Sequence, residues 1–554
     1  MTCPRPADHA VPDLEAAYLA DRRRRFKEAV ARVNRRPDHV WPAAEFPGPL
    51  QGIAGALFAH QWLRRHVAEP CRAAVAAVSR NPAHASLVRL LLACPDAPTL
   101  VAELLREWLP DAPGRYPLLQ QNILARWATL DPFREDPLTR QRAIQQEQKR
   151  EYGAPLSPLV LERLALVDSL PDPGPAARRF VKAGVIPVMA CPQSCRHCMF
   201  VWRPSLGVAP DQSFLWELLP RLTNNLLFTG GDLSGHLDGF FHAITHLTGI
   251  TTCAILLNGS LGQSLAAARE FLERCAAARR RRPAAAPVTV VIQISFDEFH
   301  QEILADRHGV LRERIPVARV ANLLQAALDH PELQLVLLHK QNRLNFSTAL
   351  FQQGVFARLD AELARRGLPI RVESHAPAPR PKADPVDPVR RAGVIREAVF
   401  TLGTHRRRPF HFVSSTLDAY GRAAVRVDPA EYVAERPLLQ DVLAGRVPPG
   451  EAFDTDLMFR VDGPVTLFSA FHICLGDLGR DGADRILARH RKDPLLRALE
   501  RFDPRLPVWY GEVRNDLSAL VEQATGPYHL FHRLTREAEV RLALTRRLVG
   551  FRAD

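Results

Sequence analysis

The sequence predicts an α/β fold: a mainly parallel sheet, preceded by an α-helical domain and followed by an α+β extension. Three observations predict it. In the middle of the chain, six short apolar runs alternate with stretches of helical periodicity, the pattern of parallel strands joined by crossover helices. Before them, apolar residues recur at helical spacing with few β-branched runs. After them, a proline-rich connection leads into strand-turn patterns.

Residues 1–180 form the first expected region. Its segments Ser86-Leu-Val-Arg-Leu-Leu-Leu-Ala93 and Leu100-Val-Ala-Glu-Leu-Leu-Arg-Glu-Trp108 recur at helical spacing, and prolines break the pattern between helices. Residues 181–376 form the second. Its strand candidates are Gly184 to Ala190, Asn225 to Thr229, Thr251 to Leu257, Val288 to Ser295, Leu333 to His339 and Pro369 to Glu373. Between them Phe214, Leu215, Leu218, Leu219 and Leu222 share a helical face, as do Val320, Leu323, Leu324, Ala327 and Leu328. Parallel strands with right-handed crossovers carry all their carboxyl ends to one rim, where (β/α) folds gather their chemistry. The stretch Ala376-Pro-Ala-Pro-Arg-Pro-Lys-Ala-Asp-Pro385 then opens the third region, residues 377–554. There Thr416-Leu-Asp-Ala-Tyr-Gly-Arg422 and Arg460-Val-Asp-Gly-Pro-Val465 place glycine at expected turns.

The most specific feature follows the first strand candidate, in Val188-Met-Ala-Cys-Pro-Gln-Ser-Cys-Arg-His-Cys-Met-Phe200. Cys191, Cys195 and Cys198 supply three thiolates, where a four-iron four-sulfur cluster normally takes four. One coordination position is thereby kept for another ligand, as in open catalytic metal sites. The alternatives are a zinc knuckle and three incidental thiols. Zinc needs a fourth Cys or His at ligand spacing; His197 stands directly against Cys198, and no second C-x2-C lies in the chain. The second strand candidate ends in Asn225-Leu-Leu-Phe-Thr-Gly-Gly-Asp232, whose paired glycines let a backbone approach a ligand closely.

On these two motifs the chain resembles the radical S-adenosylmethionine (SAM) superfamily, with His197 in the aromatic place of its cysteine loop. The resemblance implies a 4Fe-4S cluster on Cys191, Cys195 and Cys198, with SAM chelating the open iron. It further implies a partial (β/α)6 TIM-type barrel, reductive cleavage of SAM to a 5'-deoxyadenosyl radical, and hydrogen abstraction from substrate. Gly230, Gly231 and Asp232 match the Gly-Gly-Glu that holds the SAM amino group, with Asp one methylene shorter than Glu. A reductant such as flavodoxin or ferredoxin is the implied electron source.

The expected rim nominates more residues. Asn258, Gly259 and Ser260 end the third strand and look like the polar stretch that contacts SAM in relatives. Ser295, Asp297 and His300 follow the fourth strand, Ser295 as a cofactor contact and Asp297 and His300 as catalytic candidates. His339, Lys340 and Gln341 end the fifth, and Glu373 and Ser374 the sixth. Each could instead be a polar loop residue facing water. Cys253 and Cys275 read as core thiols. The segments Asp131 to Gln141, Cys195 to Cys198 and Thr229 to Asp232 look like the lysine aminomutase branch. Its members hold pyridoxal phosphate on a lysine after a glycine run, and no such run lies near Lys340, Lys382 or Lys492. Cys474-Leu-Gly-Asp-Leu478 is similar to the tail of SPASM or twitch extensions, which bind auxiliary clusters through many cysteines. With Cys474 alone in this region, the extension reads as a cysteine-poor substrate platform. Cys474 itself is a buried thiol, a hydrogen-atom donor in catalysis, or a single ligand.

At 61.9 kDa and 47% hydrophobic, the chain can bury a large core in two or three domains. Net charge is +13, and all but six of the 73 basic residues are arginine. Arg22 to Arg25 and Arg279 to Arg282 could meet an acidic peptide or nucleic acid; solvated helix faces are the plainer reading. No apolar run is long enough to span a membrane, and no signal peptide precedes Arg22, so a cytoplasmic protein is expected. The expected function is a radical SAM enzyme acting on a peptide or other large substrate. The alternatives are a radical SAM enzyme that rearranges a small molecule or amino acid, and a non-catalytic iron-sulfur protein.

Overall fold

The computed structural model describes most of residues 52–66, 82–133, 156–199, 213–305, 311–341, 354–377, 395–417 and 421–550, with isolated positions before them. Arg22 to Arg24, most of Asp131 to Gln141 and residues 378–385 lie outside the described residues. The chain forms two compact units. One comprises Met1–Arg140, Glu298–Ala318 and Ala349–Arg365; the other comprises Gln141–Asp297, Arg319–Thr348 and Arg366–Asp554.

The strands are β1 (Ala183–Ile186), β2 (Asn225–Phe228), β3 (Thr252–Leu257), β4 (Thr289–Ser295), β5 (Ile303–Ala305), β6 (Leu311–Glu313), β7 (Gln334–Gln341), β8 (Ile370–Pro377), β9 (Ile395–Leu402), β10 (Phe410–Thr416), β11 (Leu457–Arg460), β12 (Pro464–Leu467) and β13 (Cys474–Asp477). Eleven of them make one sheet in the order β13-β12-β11-β1-β2-β3-β4-β7-β10-β9-β8. The run from β11 to β10 is parallel throughout, and antiparallel strands extend it on both sides. The result is a mixed α/β fold with a large, mostly parallel sheet. It is not closed into a barrel, since β13 and β8 form its two edges.

Helices Ser213–Leu222, Asp238–His246 and Leu265–Arg281 connect β1 to β2, β2 to β3 and β3 to β4. Leu215, Leu218, Leu219 and Leu222 are buried as their spacing predicts, while Phe214 stays 45% exposed. β4 shows why these strands read as nearly continuous apolar runs. Val290, Ile292 and Ile294 are wholly buried on one face, and Val291 on the other packs in a row with Ala254 and Val336.

Two expectations need correction. The run at Pro369 to Glu373 is a strand, but it sits at the sheet edge, antiparallel to β9. The place beyond β7 in the parallel run belongs to β10. A short apolar run carries no information about its partner's direction, whereas β9 and β10, consecutive in the chain, pair antiparallel as neighbours. Arg282, expected on a solvated face, is 6% exposed. Its guanidinium donates to the carbonyls of Ala243 (3.3 Å), Ile244 (2.7 Å), Leu247 (2.8 Å) and Ile250 (2.6 Å). These carbonyls line the last turn of helix Asp238–His246 and the turn that leads from it to β3, and five fixed N–H donors suit that cluster.

In the other unit, helices Ile53–His66, Pro82–Ala93, Ala97–Trp108 and Leu119–Leu130 enclose a core that includes Phe58, Trp62, Leu100, Leu104, Ile123 and Trp127. Asp96 caps the third of these, accepting from the Thr99 N–H at 2.8 Å. β5 and β6 pair antiparallel in the same unit. Among the described residues, no helix is long and apolar enough to cross a membrane.

Candidate functional site

The carboxyl ends of the parallel strands carry nearly all the residues nominated from sequence. β1 stops at Ile186 because Pro187 has no N–H to continue the ladder. The chain then crosses the end of β2. The Gly231 N–H donates to the Val188 carbonyl (2.7 Å) and the Asp232 N–H to the Ala190 carbonyl (2.9 Å). A Cβ on Gly230, whose φ is 137°, would lie 2.3 Å from the Val188 oxygen, and one on Gly231 would lie 2.1 Å from the Ala190 oxygen. The close approach that requires these glycines is therefore to the backbone entering the cysteine loop. Sequence suggested a ligand in that role.

Beyond Ala190, Cys195 is buried while Cys191 and Cys198 are half-buried; all three are free thiols. The Cys198 N–H donates to the Cys195 carbonyl at 3.3 Å, turning the loop between the last two sulfurs.

Asp232 Oδ1 accepts from the Ser234 N–H (3.1 Å) and the Ser260 hydroxyl (2.9 Å). Asp232 Oδ2 has no partner among the described residues. Asn258 Oδ1 accepts from the Ser260 N–H at 3.0 Å and lies 2.5 Å from its hydroxyl. Asn258 Nδ2 is buried with no hydrogen-bond partner among the described residues. A buried amide left unpaired costs free energy, which marks this Nδ2 as a candidate donor to a bound group. The ends of β2 and β3 thus share Ser260, and each presents one unused polar atom.

At the end of β4, Ser295 is 8% exposed and Asp297 1%. His197, from the cysteine loop, is also buried, with Nε2 3.8 Å from Asp297 Oδ2. His300 is half-buried and belongs to the other unit. His339, at the end of β7, is 2% exposed; its Nδ1 is 3.0 Å from the Ser414 hydroxyl on β10. Burial pushes the His339 imidazole down to about 4, against the opposing pull of the Asp297 charge. Lys340 is half-buried.

Three residues at this rim escaped sequence reasoning. Ser414 is 4% exposed and was findable as the polar end of the strand-like run Phe410-His-Phe-Val413. Gln193 and Arg196, both buried, sit between the cysteines; nothing in the motif separates buried from exposed spacer positions.

Two nominated positions lie elsewhere. Glu373 and Ser374 are exposed on edge strand β8, where Glu373 Oε1 accepts from the Thr401 hydroxyl at 2.9 Å. Cys474 starts β13, and the register Cys474-Thr466-Met458-Gly184 sets it level with the amino-terminal half of β1, away from the rim. It is 1% exposed, donates to the Gly476 carbonyl at 3.4 Å, and is pushed up to about 11 by burial. A neutral, enclosed thiol is what that environment makes. Cys253 and Cys275 are fully buried core thiols, both driven well above the usual thiol range by burial.

No protein-family model matches the chain, and no curated protein matches it either.

Proposed function

We propose that the chain is a radical SAM enzyme, built on an open partial (β/α)6 barrel, that abstracts hydrogen from a peptide or other large substrate. The observation that carries this reading is the pair of backbone hydrogen bonds from Gly231 and Asp232 to Val188 and Ala190. They join two motifs distant in sequence at one rim.

The donor set fits the groups in question. Cys191, Cys195 and Cys198 offer three soft thiolates from one loop, the ligand type for an iron-sulfur cluster. Asp232 Oδ2 is an anionic acceptor suited to an ammonium group, and the orphan Nδ2 of Asn258 is a donor suited to an oxygen or ring nitrogen. An amino acid linked to a nucleoside presents both partners. When bound, a reduced cluster and SAM supply the electron and the carbon radical for hydrogen abstraction. The chain's own residues orient these groups. Ser260 locks the Asp232 and Asn258 side chains to each other, and the buried Asp297 and His197 line the cysteine side of the rim.

The test is anaerobic reconstitution with iron and sulfide, then incubation with SAM and dithionite while 5'-deoxyadenosine is assayed. Wild type should form it and Cys195→Ala should not. Equal yields from both would remove the cysteine loop from the chemistry and the reading with it.

A further inference from the structure

The cysteine loop is held at its entrance by Gly230 and Gly231; the contacts at its exit come from the far end of the chain. Gly421 has φ 62°, and a Cβ there would lie 2.2 Å from the Met199 carbonyl oxygen, 2.7 Å from its carbonyl carbon and 2.8 Å from its Cα. Those atoms are backbone, which cannot swing aside as a flexible side chain would. Cys198 and Met199 also pack against a cluster of Ile186, Met189, Met458 and Phe471, with Phe468 beside it.

Met458 lies on β11, and Phe468 and Phe471 lie in the connection between β12 and β13. That connection is firmly tied. The Phe468 N–H donates to the Asp456 carbonyl (2.7 Å), the Leu467 N–H to Ile473 (3.2 Å) and the Ile473 N–H to Ala470 (2.9 Å). Lys182, just before β1, sets its ammonium 4.4 Å from the centre of the Phe468 ring. The Val461 N–H, just past β11, bonds the Ile186 carbonyl at 3.2 Å, where the chain leaves for the loop.

We propose that this carboxyl-terminal region positions the cysteine loop: Gly421 is a backbone stop against Met199, and Met458 and Phe471 are the apolar backing of Cys198. The region then does more than receive a substrate. It fixes where the third thiol stands and keeps water from one side of it, and the apolar shell around a metal site governs its solvent access and potential. Gly421 and Phe471 are positioning residues, acting through Met199 and Cys198. The functional meaning rests on the cluster reading proposed above; the geometry of the loop does not.

The experiment has two arms. In the first, apo protein is alkylated with iodoacetamide, and the rates at Cys198 and at the fully buried Cys253 and Cys275 are followed by mass spectrometry. Gly421→Ala, and independently the milder Phe471→Leu, should speed alkylation of Cys198 by about five-fold or more, leaving Cys253 and Cys275 protected. In the second, both variants are reconstituted and should retain less iron and show an altered electron paramagnetic resonance signal. Unchanged Cys198 rates in both variants, with Cys253 still protected, would overturn the proposal. Should wild type take up no cluster while Cys198 still responds to both substitutions, the positioning role stands and the cluster reading fails.

Discussion

Asp232 and Asn258 each spend one side-chain atom on the protein and keep another unused. That division gives a prediction at single-residue resolution. Asp232→Asn keeps the shape and the Ser260 partner but removes the charge. If Oδ2 receives an ammonium, SAM affinity should fall about ten-fold or more, the scale of one charge-assisted hydrogen bond. Calorimetric titration of the reconstituted protein measures it; unchanged affinity would assign Asp232 to loop structure alone. Asn258→Ala should weaken SAM binding as well, and should cost about 1 kcal/mol of folding stability because its Oδ1 accepts from the Ser260 N–H. Asn258→Asp, which keeps that acceptor and removes only the Nδ2 donor, should weaken binding with a smaller loss of stability. At this scale the sequence indicated which residues meet at one end of the sheet: the cysteine loop and the Gly-Gly-Asp turn are joined by backbone hydrogen bonds. Ser414 was missed although it ends the run Phe410 to Val413, because only the pairing of that strand with β7 brings it to His339.

Glycine and arginine decide the main element contacts. In Gly231→Ala the new methyl would meet the Ala190 backbone, so the β2 turn must move away from the cysteine loop. Destabilisation of roughly 1–3 kcal/mol in chemical denaturation is expected, with reduced iron uptake. A variant as stable as wild type would contradict the close approach. Arg282→Met leaves the end of helix Asp238–His246 without its donors and should destabilise the fold by roughly 2–4 kcal/mol; a change near zero would show the carbonyls to be satisfied by water instead. Elements with a strong local period were legible: five strand candidates entered the sheet as parallel neighbours, and the two helical faces are buried except at Phe214, 45% exposed, and Leu328, half-buried in a 3-10 turn. The direction of β8, the place of β10 and the capping use of Arg282 depend on partners distant in sequence. No local period records them.

Across the whole molecule, buried ionisable groups set the response to pH. Burial holds His339 near 4 and His529 and His532 at about 3, and drives His472 well below its ordinary value. These imidazoles are neutral when folded, whereas the unfolded chain binds protons at them below about pH 6.5. Stability is therefore complete above that pH and is lost as pH falls toward the folded values. Each histidine removes up to roughly 2 kcal/mol between pH 6.5 and 5. The thermal midpoint should drop clearly from pH 7.5 to 5, and His472→Gln should flatten the trend; a midpoint insensitive to pH would contradict the burial. Arg163 and Asp493, paired and almost wholly enclosed, link helices Pro158–Ser169 and Pro494–Glu500. Arg163→Met alone should cost about 3–5 kcal/mol in urea unfolding by leaving the Asp493 charge without its cation, and adding Asp493→Leu should recover part of it, since that change also removes the cap on the Leu495 N–H. Additive losses would show that the charges do not depend on each other.

The central claim, an iron-sulfur cluster with one open iron at the carboxyl rim, is tested most directly by electron paramagnetic resonance of the reconstituted, dithionite-reduced protein before and after SAM is added. The account predicts a reduced 4Fe-4S signal that changes when SAM binds and is absent in Cys195→Ala. A protein that takes up zinc in place of iron, or a cluster signal unmoved by saturating SAM, would contradict it.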